Sequence, residues 1–574
     1  MQVVTTNTNS GSNGRQAPAA PIGVAKGPGE TAHEYTFVSA DCDQQLKNGE
    51  FVYYTIETNA ETDHQKILGR ITRREPVKLY PDAFLADPSL PPDELAAAVG
   101  YSHPERELFE LTVTLIGYYD PLFKAFINPR ISPSSGWPIY LAEPELLRAT
   151  LSRKARGDRG TACIGSLLSR PEGEVPVVLD VAEFTSTHMA IIASTGSGKS
   201  YLAGVLVEEL MAAANKGCVL IIDPHGEYDT LSDLPNVQQL LEQNGRGYRP
   251  STRVFTPREV KVKLSTLEFS DLRYLLPNLT ERMEELLKKA HDALRTDPTR
   301  AWSFDELEMA IGQVVDRSLE SESVVDYTAS ASGLYWRLRS VFNKPPFTTS
   351  EHLDLRELLK PGQCTVLQLD DVDEKQQQVI VATLLRRAYR ARQRTVRGDS
   401  LPGEEEYLPY PAFTLIEEAH HFAPAGGDAV TTGILKQVLS EGRKFGLGVG
   451  LISQRPGKLD ADVLSQCMTQ FIMKVVNPID QSSIASAVES ASRDILDELP
   501  ALSKGQVIVT GASMNVPVLC RVRERLTRHG GQSMDAPQEW NLWYSDEAAA
   551  ERERDLAHVR SPIRRGRDAL FGDD

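Results

Sequence analysis

Residues 193–200 read ASTGSGKS, set between an apolar run, MAIIA (189–193), and a stretch with helical spacing, SYLAGVLVEELMAAA (200–214). Strand, glycine-rich turn, lysine, hydroxyl and helix is the order that a phosphate-binding loop requires. Small residues across Thr195, Gly196, Ser197 and Gly198 let successive backbone N–H groups turn toward one point, and the N-terminus of the following helix adds positive potential there. Lys199 has the reach for β- and γ-phosphates, the Ser200 hydroxyl suits Mg²⁺, and Tyr201 follows in the same cradle. The implied ligand is ATP with Mg²⁺. A plain glycine turn capping a helix does not call for Gly196, Gly198, Lys199 and Ser200 in register. Ala193 stands where a first glycine is usual; alanine serves there if its φ is negative.

Such a loop needs a carboxylate on a neighbouring strand for the Mg²⁺ water shell, and a group that polarises the attacking water. AFTLIEEAHHFAP (412–424) offers both: Glu417 ends an apolar run as the metal-side carboxylate, and Glu418 follows as the base. His420 and His421 read as supporting histidines, since no Cys/His spacing suggests zinc. Gln454, at the tip of GVGLISQRP (448–456), is placed to sense a γ-phosphate. SEGRKFG (440–446) sets Arg443 and Lys444 between a helix and that strand. Arg443 reads as an arginine finger, against the plainer role of a cation at a helix C-terminus. DPHGEYD (223–229) follows another apolar strand, with Asp223 on the ligand-facing edge and Glu227 near nucleotide or neighbour.

The elements that carry these residues alternate. CVLIID (218–223), TVLQLD (365–370), AFTLIE (412–417), LGVGLIS (447–453), QFIMKVV (470–476) and GQVIVTG (505–511) are strand-like, and a long helix is expected over 374–397. That grammar predicts an α/β, doubly wound, mostly parallel sheet covered on both faces. Residues 266–345 break it with helical candidates and read as an all-helical insertion. Residues 35–128 instead show short, aromatic and β-branched runs such as FVYYTIET (51–58), with a proline-bearing excursion over 74–106, which suggests a small barrel or sandwich. The expected division is a disordered tail at 1–24, a β domain at 25–150, the nucleotide-binding core at 151–265 and 346–530 around the insertion, and an arm at 531–574 carrying Trp540 and Trp543.

At 574 residues the chain has room for two to four domains of roughly 100–200 residues each. Its 62 Lys+Arg against 79 Asp+Glu, net −17, exclude a wholly basic nucleic-acid coat but not a basic channel inside an acidic exterior. No apolar run reaches the roughly 18 residues of a membrane span. The six scattered cysteines form no CxxC pair, which fits reduced thiols and a cytoplasmic setting. Arginines are dense over 386–397 (RRAYRARQRTVR); they read as a solvated helix end facing the acidic run Glu404–Glu406.

Taken in order, ASTGSGKS, DPHGEYD, IEEAHHFAP, EGRKFGLG, ISQRP and LSKGQVIVTG resemble the HerA family, in the HerA–FtsK superfamily of hexameric DNA-pumping ATPases, over about residues 25–530. The resemblance implies a RecA-like P-loop NTPase core, a HAS-barrel at the N-terminus, Glu417 and Glu418 as Walker B, and Arg443 acting in trans. His421 departs from a common Asn, Ala193 from the usual glycine, and Thr187 lies near where an arginine ahead of the P-loop strand is often found. The family likeness implies a homo-hexamer around double-stranded DNA, working with a NurA-like nuclease in DNA end resection and recombinational repair in a prokaryotic cytoplasm. The alternative is a HerA-like ring that scaffolds an anti-phage defence effector. A GTPase would need NKxD, an ABC ATPase LSGGQ, and a conjugation coupling protein a membrane segment; none is present.

Overall fold

The computed structural model describes residues 20–29, 31, 33–41, 45–57, 64–77, 89, 91, 93, 108–120, 122–123, 125–244, 247–276, 278–296, 301–320, 327–342, 345–488, 493–530, 535–544, 550–554 and 556. The expected tail up to residue 19, most of the 74–106 excursion, Cys42 and the RRGRDALFGDD end fall outside the described residues. Residues 1–528 form one unit and 529–574 a second. The second holds a helix, Ala536–Tyr544, with Trp540 exposed.

The N-terminal region is a closed antiparallel barrel. Its strands are β1 (Gly23–Pro28), β2 (Glu34–Ser39), β3 (Phe51–Glu57), β4 (His64–Pro76), β5 (Phe109–Asp120) and β7 (Pro138–Leu141). They run in the order β2-β1-β7-β3-β4-β5, and β5 pairs back onto β2 to close the ring; β6 (Ala125–Ile127) hangs on β5. The first strand thus begins inside the stretch expected as tail. Alternation puts Tyr35 and Phe37 of β2, and Leu111, Val113 and Leu115 of β5, into the barrel core. FVYYTIET departs from simple alternation, since Phe51, Val52, Tyr53 and Tyr54 are all buried. Val52 and Tyr54 fill the barrel, while Phe51 and Tyr53 pack outward into the core of the next region beside Leu167 and Val518.

That next region is one eleven-stranded sheet in the order β12-β15-β11-β16-β17-β10-β18-β19-β20-β8-β9. The strands are β8 (Thr161–Leu167), β9 (Pro176–Asp180), β10 (Met189–Ile192), β11 (Cys218–Asp223), β12 (Ser251–Phe255), β15 (Gln363–Gln368), β16 (Ala412–Ile416), β17 (Leu447–Ser453), β18 (Thr469–Ile472), β19 (Gln506–Gly511) and β20 (Val518–Val522). From β12 to β18 the pairings are parallel; from β18 to β9 they are antiparallel. The parallel strands are apolar throughout because both faces are covered. In β10, Met189 and Ile191 enter one core while Ala190 and Ile192 enter the other.

Helix α1 (Lys199–Leu210) packs on the first face. The insertion comprises α2 (Phe269–Leu275), α3 (Glu281–Leu294), α4 (Phe304–Glu320) and α5 (Thr328–Phe342), all helical as expected. A short parallel pair, β13 (Val262–Lys263) with β14 (Phe347–Thr348), closes its neck. Its buried Trp302, Leu286 and Leu334 belong to the same core as α6 (Glu374–Arg397) and α7 (Val430–Glu441) on the second face.

The glycines of β17 are demanded by packing. A Cβ on Gly448 would sit 1.8 Å from the Thr185 carbonyl oxygen, and one on Gly450 2.5 Å from Leu415 Cδ2. Gly448→Ala must therefore move a buried strand off its neighbour and is expected to cost about 1–3 kcal/mol or more of stability. Urea titration measures this directly; a loss under about 0.5 kcal/mol, the range of ordinary surface changes, would mean that the strand yields freely.

Candidate active site

All parallel strands point their C-terminal ends the same way, and the phosphate-binding motif lies at that edge between β10 and α1. Gly196 and Gly198 take φ of 77° and 108°, left-handed values that favour glycine, and Gly198 leads directly into α1. The tips of β16 and β11 bring carboxylates to the same point. Lys199, buried at the start of α1, donates through Nζ to Glu417 Oε1 and, at 3.0 Å, to Glu418 Oε1. Glu417 also accepts from the Tyr228 hydroxyl at 2.7 Å, and the Ser200 hydroxyl donates to Glu227 Oε2 at 2.6 Å. Gln454 joins the two halves: its Nε2 donates to Glu418 Oε1, while Thr195 Oγ1 donates to its Oε1 at 2.5 Å.

The loop after β11 is shaped by Asp223. Its buried carboxylate accepts the backbone N–H groups of His225, Glu227 and Tyr228 at 3.4, 3.1 and 3.0 Å, which turns Glu227 and Tyr228 into the site. Glu418 sits at φ 49°, a left-handed conformation unusual for a glutamate and of the kind that collects at functional sites. His420 Nδ1 lies 3.3 Å from both Glu418 Oε2 and Ser453 Oγ.

Burial separates the two glutamates electrically. It pushes Glu417 up to about 7, against the pull of Lys199 and Tyr228. Burial would raise Glu418 too, but the charge and hydrogen bond of Lys199, with the hydrogen bond from Gln454, outweigh it and hold that carboxyl below its usual range. Lys199 is kept charged by Glu417, Glu418 and Glu227 although burial alone would lower it. His420 is pressed down to about 4 by burial and by His421, so its ring is neutral near pH 7. Two carboxyls with pKa values driven apart in one cleft are the usual signature of divided acid and base roles.

The fold therefore brings together Lys199, Ser200, Glu417, Glu418, Gln454 and Thr195, with Gly196, Ser197 and Gly198 in the same turn. Tyr201 instead faces away along α1, where its hydroxyl accepts the Arg525 backbone N–H at 2.6 Å. Arg443 is not brought in. It is exposed in the turn Gly442–Phe445 ahead of β17, while Gln454 follows the other end of that seven-residue strand. At about 3.3 Å per residue the two lie more than 20 Å apart, on opposite edges of the sheet. Three contributors carry weaker signals in the sequence. Tyr228 and Glu227 stand inside DPHGEYD, but only the folded loop shows what they touch. Arg525, after β20, packs its buried side chain against α1, with Nη1 3.4 Å from the Ser200 carbonyl and the guanidinium 2.5 Å from where a Gly204 Cβ would be.

A phosphate loop at the C-terminal edge of a doubly wound sheet, facing paired glutamates and a glutamine, defines a P-loop ATPase with an antiparallel barrel in front. A family model described as the central domain of helicase HerA matches residues 162–388. The DNA double-strand break repair helicase HerA of Pyrococcus furiosus is 28% identical over 483 residues, covering 77% of this chain and 84% of its own length. That of Sulfolobus acidocaldarius is 27% identical over 502 residues, covering 88% and 94%. Among solved structures, VirB4 of Thermoanaerobacter pseudethanolicus aligns at TM-score 0.43 and 14% identity, covering 64% of this chain and 97% of its own. Over most of its length the chain is similar to the HerA helicases, and its site is that of a P-loop ATPase.

The buried Glu417 has a direct consequence for stability. Its folded pKa of about 7 exceeds the 4.5 of an ordinary glutamate, so the folded state holds this proton more tightly than the unfolded chain. The resulting stabilisation is complete below pH 4.5 and is lost as pH rises to about 7. Urea midpoints should fall more steeply over that window for wild type than for Glu417→Gln. Parallel curves would show that the carboxyl titrates normally.

Proposed function

We propose that this chain is an ATP-driven translocase and helicase on double-stranded DNA that works as a homo-hexamer with a NurA-like nuclease in end resection and recombinational repair. One observation carries the ring: each chain has its phosphate loop on one edge of the sheet and its exposed Arg443 on the other. A site completed by a neighbour's Arg443 uses both edges, whereas a single chain has no way to join them.

In this reading Lys199 and the Thr195–Ser200 backbone hold the β- and γ-phosphates, and Tyr201 supports the start of α1. Ser200 and Glu417 are the residues that would hold Mg²⁺. The donor set fits: Glu418 Oε2 is a buried acceptor without a hydrogen-bond donor, and a hydroxyl beside three carboxylates suits a hard cation. Among the described residues no group of three His, Cys, Asp or Glu is arranged to hold a metal ion. When bound, Mg²⁺ offsets the charge that develops on the phosphate oxygens. Glu418, kept ionised, with no hydrogen bond on Oε2, accepts the proton of the attacking water. Gln454, tied to Glu418 and Thr195 together, registers whether the outer phosphate is in place. Lys199 exchanges its carboxylate partners for phosphate, which frees both glutamates for these tasks.

DNA enters this proposal through the HerA relatives, and pore binding to backbone phosphates predicts affinity that falls steeply with salt and is indifferent to sequence. Purification of the chain from native cells with a nuclease attached would support the repair role. An unrelated effector in its place would favour the defence scaffold.

Glu418→Gln should bind ATP normally while turnover falls by about 10²-fold or more, the usual worth of a general base. Near-normal steady-state ATPase would remove Glu418 from that role. Arg443→Ala and Lys199→Ala should each be inactive alone, yet regain activity in mixed rings that pair an intact loop with an intact neighbouring arginine. Proven mixed rings without recovery would make Arg443 a structural residue.

A further inference from the structure

Arg392, on α6, is 6% exposed, and its partners are backbone carbonyls rather than carboxylates. Nε donates to the Phe445 carbonyl at 2.7 Å and Nη1 to the Leu408 carbonyl at 2.6 Å. A guanidinium buried against carbonyls alone is costly, and burial presses its pKa down. One of those bonds ties α6 to the turn that presents Arg443, and the other ties it to the segment ahead of β16.

The grip is two-sided. One turn earlier on α6, the Tyr389 hydroxyl donates to Glu441 Oε2, and its ring meets Phe445 edge-on with centroids 5.5 Å apart. Gly446 closes the turn at φ 71°, and a Cβ there would lie 3.1 Å from Pro411 and 3.4 Å from Arg392 Nη2. Both ends of the segment 441–446 are thus fixed to α6, while Arg443 and Lys444 between them remain exposed.

We propose that Arg392, aided by Tyr389, is a positioning residue that holds this turn so that Arg443 reaches the neighbouring subunit's phosphates in a fixed register; this rests on the reading of Arg443 as a trans-acting finger. The same helix also touches the chain's own site. Gln378 Nε2 donates to the His421 carbonyl at 2.7 Å, in the turn that follows Glu418. Gln378 and Arg392 are about 21 Å apart along α6 at about 1.5 Å per residue. α6 is then the rod by which a change at one subunit's Glu418 turn shifts the arginine offered to the next.

Arg392→Lys keeps the charge but replaces the rigid fork, whose Nε and Nη1 reach separate carbonyls, with a single point ammonium. In assembled rings it should lower kcat by about tenfold or more, with KM for ATP within about twofold, because a finger misplaced by about 1 Å is costly while the chain's own loop is intact. Arg392→Lys combined with Arg443→Ala should be no slower than Arg443→Ala alone. A normal kcat for Arg392→Lys beside an inactive Arg443→Ala, or a double variant slower than Arg443→Ala alone, would overturn the positioning role and leave the finger standing. A normal kcat for Arg443→Ala would remove the finger itself, and this inference with it. If Arg392→Lys does not assemble, Tyr389→Phe decides: a several-fold loss in kcat at unchanged KM is expected, and an unchanged kcat refutes the grip.

Discussion

One buried ammonium organises this molecule. Lys199 is held between Glu417 and Glu418 where little water can share its charge, so each group depends on the others for its solvation. Removing one partner from such a set leaves the rest uncompensated. That constraint explains why the surrounding loops are tied so fully: Asp223 fixes the loop that supplies Tyr228, Tyr228 satisfies the second oxygen of Glu417, and Gln454 links Glu418 to Thr195. The sheet places three strand tips side by side, but the lysine makes their exact chemistry matter.

Much of the site was readable in the chain because its parts are short and lie at the ends of strongly apolar strands. ASTGSGKS, the glutamates after AFTLI and the glutamine after GLIS each carry their own structural address. The parallel order followed from those strands, and the helical insertion from its periodicity. What escaped notice depends on distant pairing. β8, β9 and β20 extend the sheet in antiparallel fashion from segments far apart in sequence. Arg525 reaches Ser200 across 325 positions. No local pattern encodes such contacts.

The arginine-dense end of α6 shows the same limit at close range. Arg387 and Arg394 do meet Glu405 and Glu406, as composition suggested. Arg386 instead pairs with the buried Asp271, and Arg392 grips carbonyls on another side of the helix. Residues a few positions apart on a helix face different neighbours, so one run of like side chains performs three jobs. Composition describes the run, and only packing separates its members.

The two-sided burial of β3 has a mechanical meaning. With Val52 and Tyr54 in one core and Phe51 and Tyr53 in another, the barrel packs onto the sheet through the outward side chains of one of its own strands. Close-packed side chains compress little, so the contact is a stiff one. A displacement of the sheet at this contact would therefore carry the barrel with it as one piece.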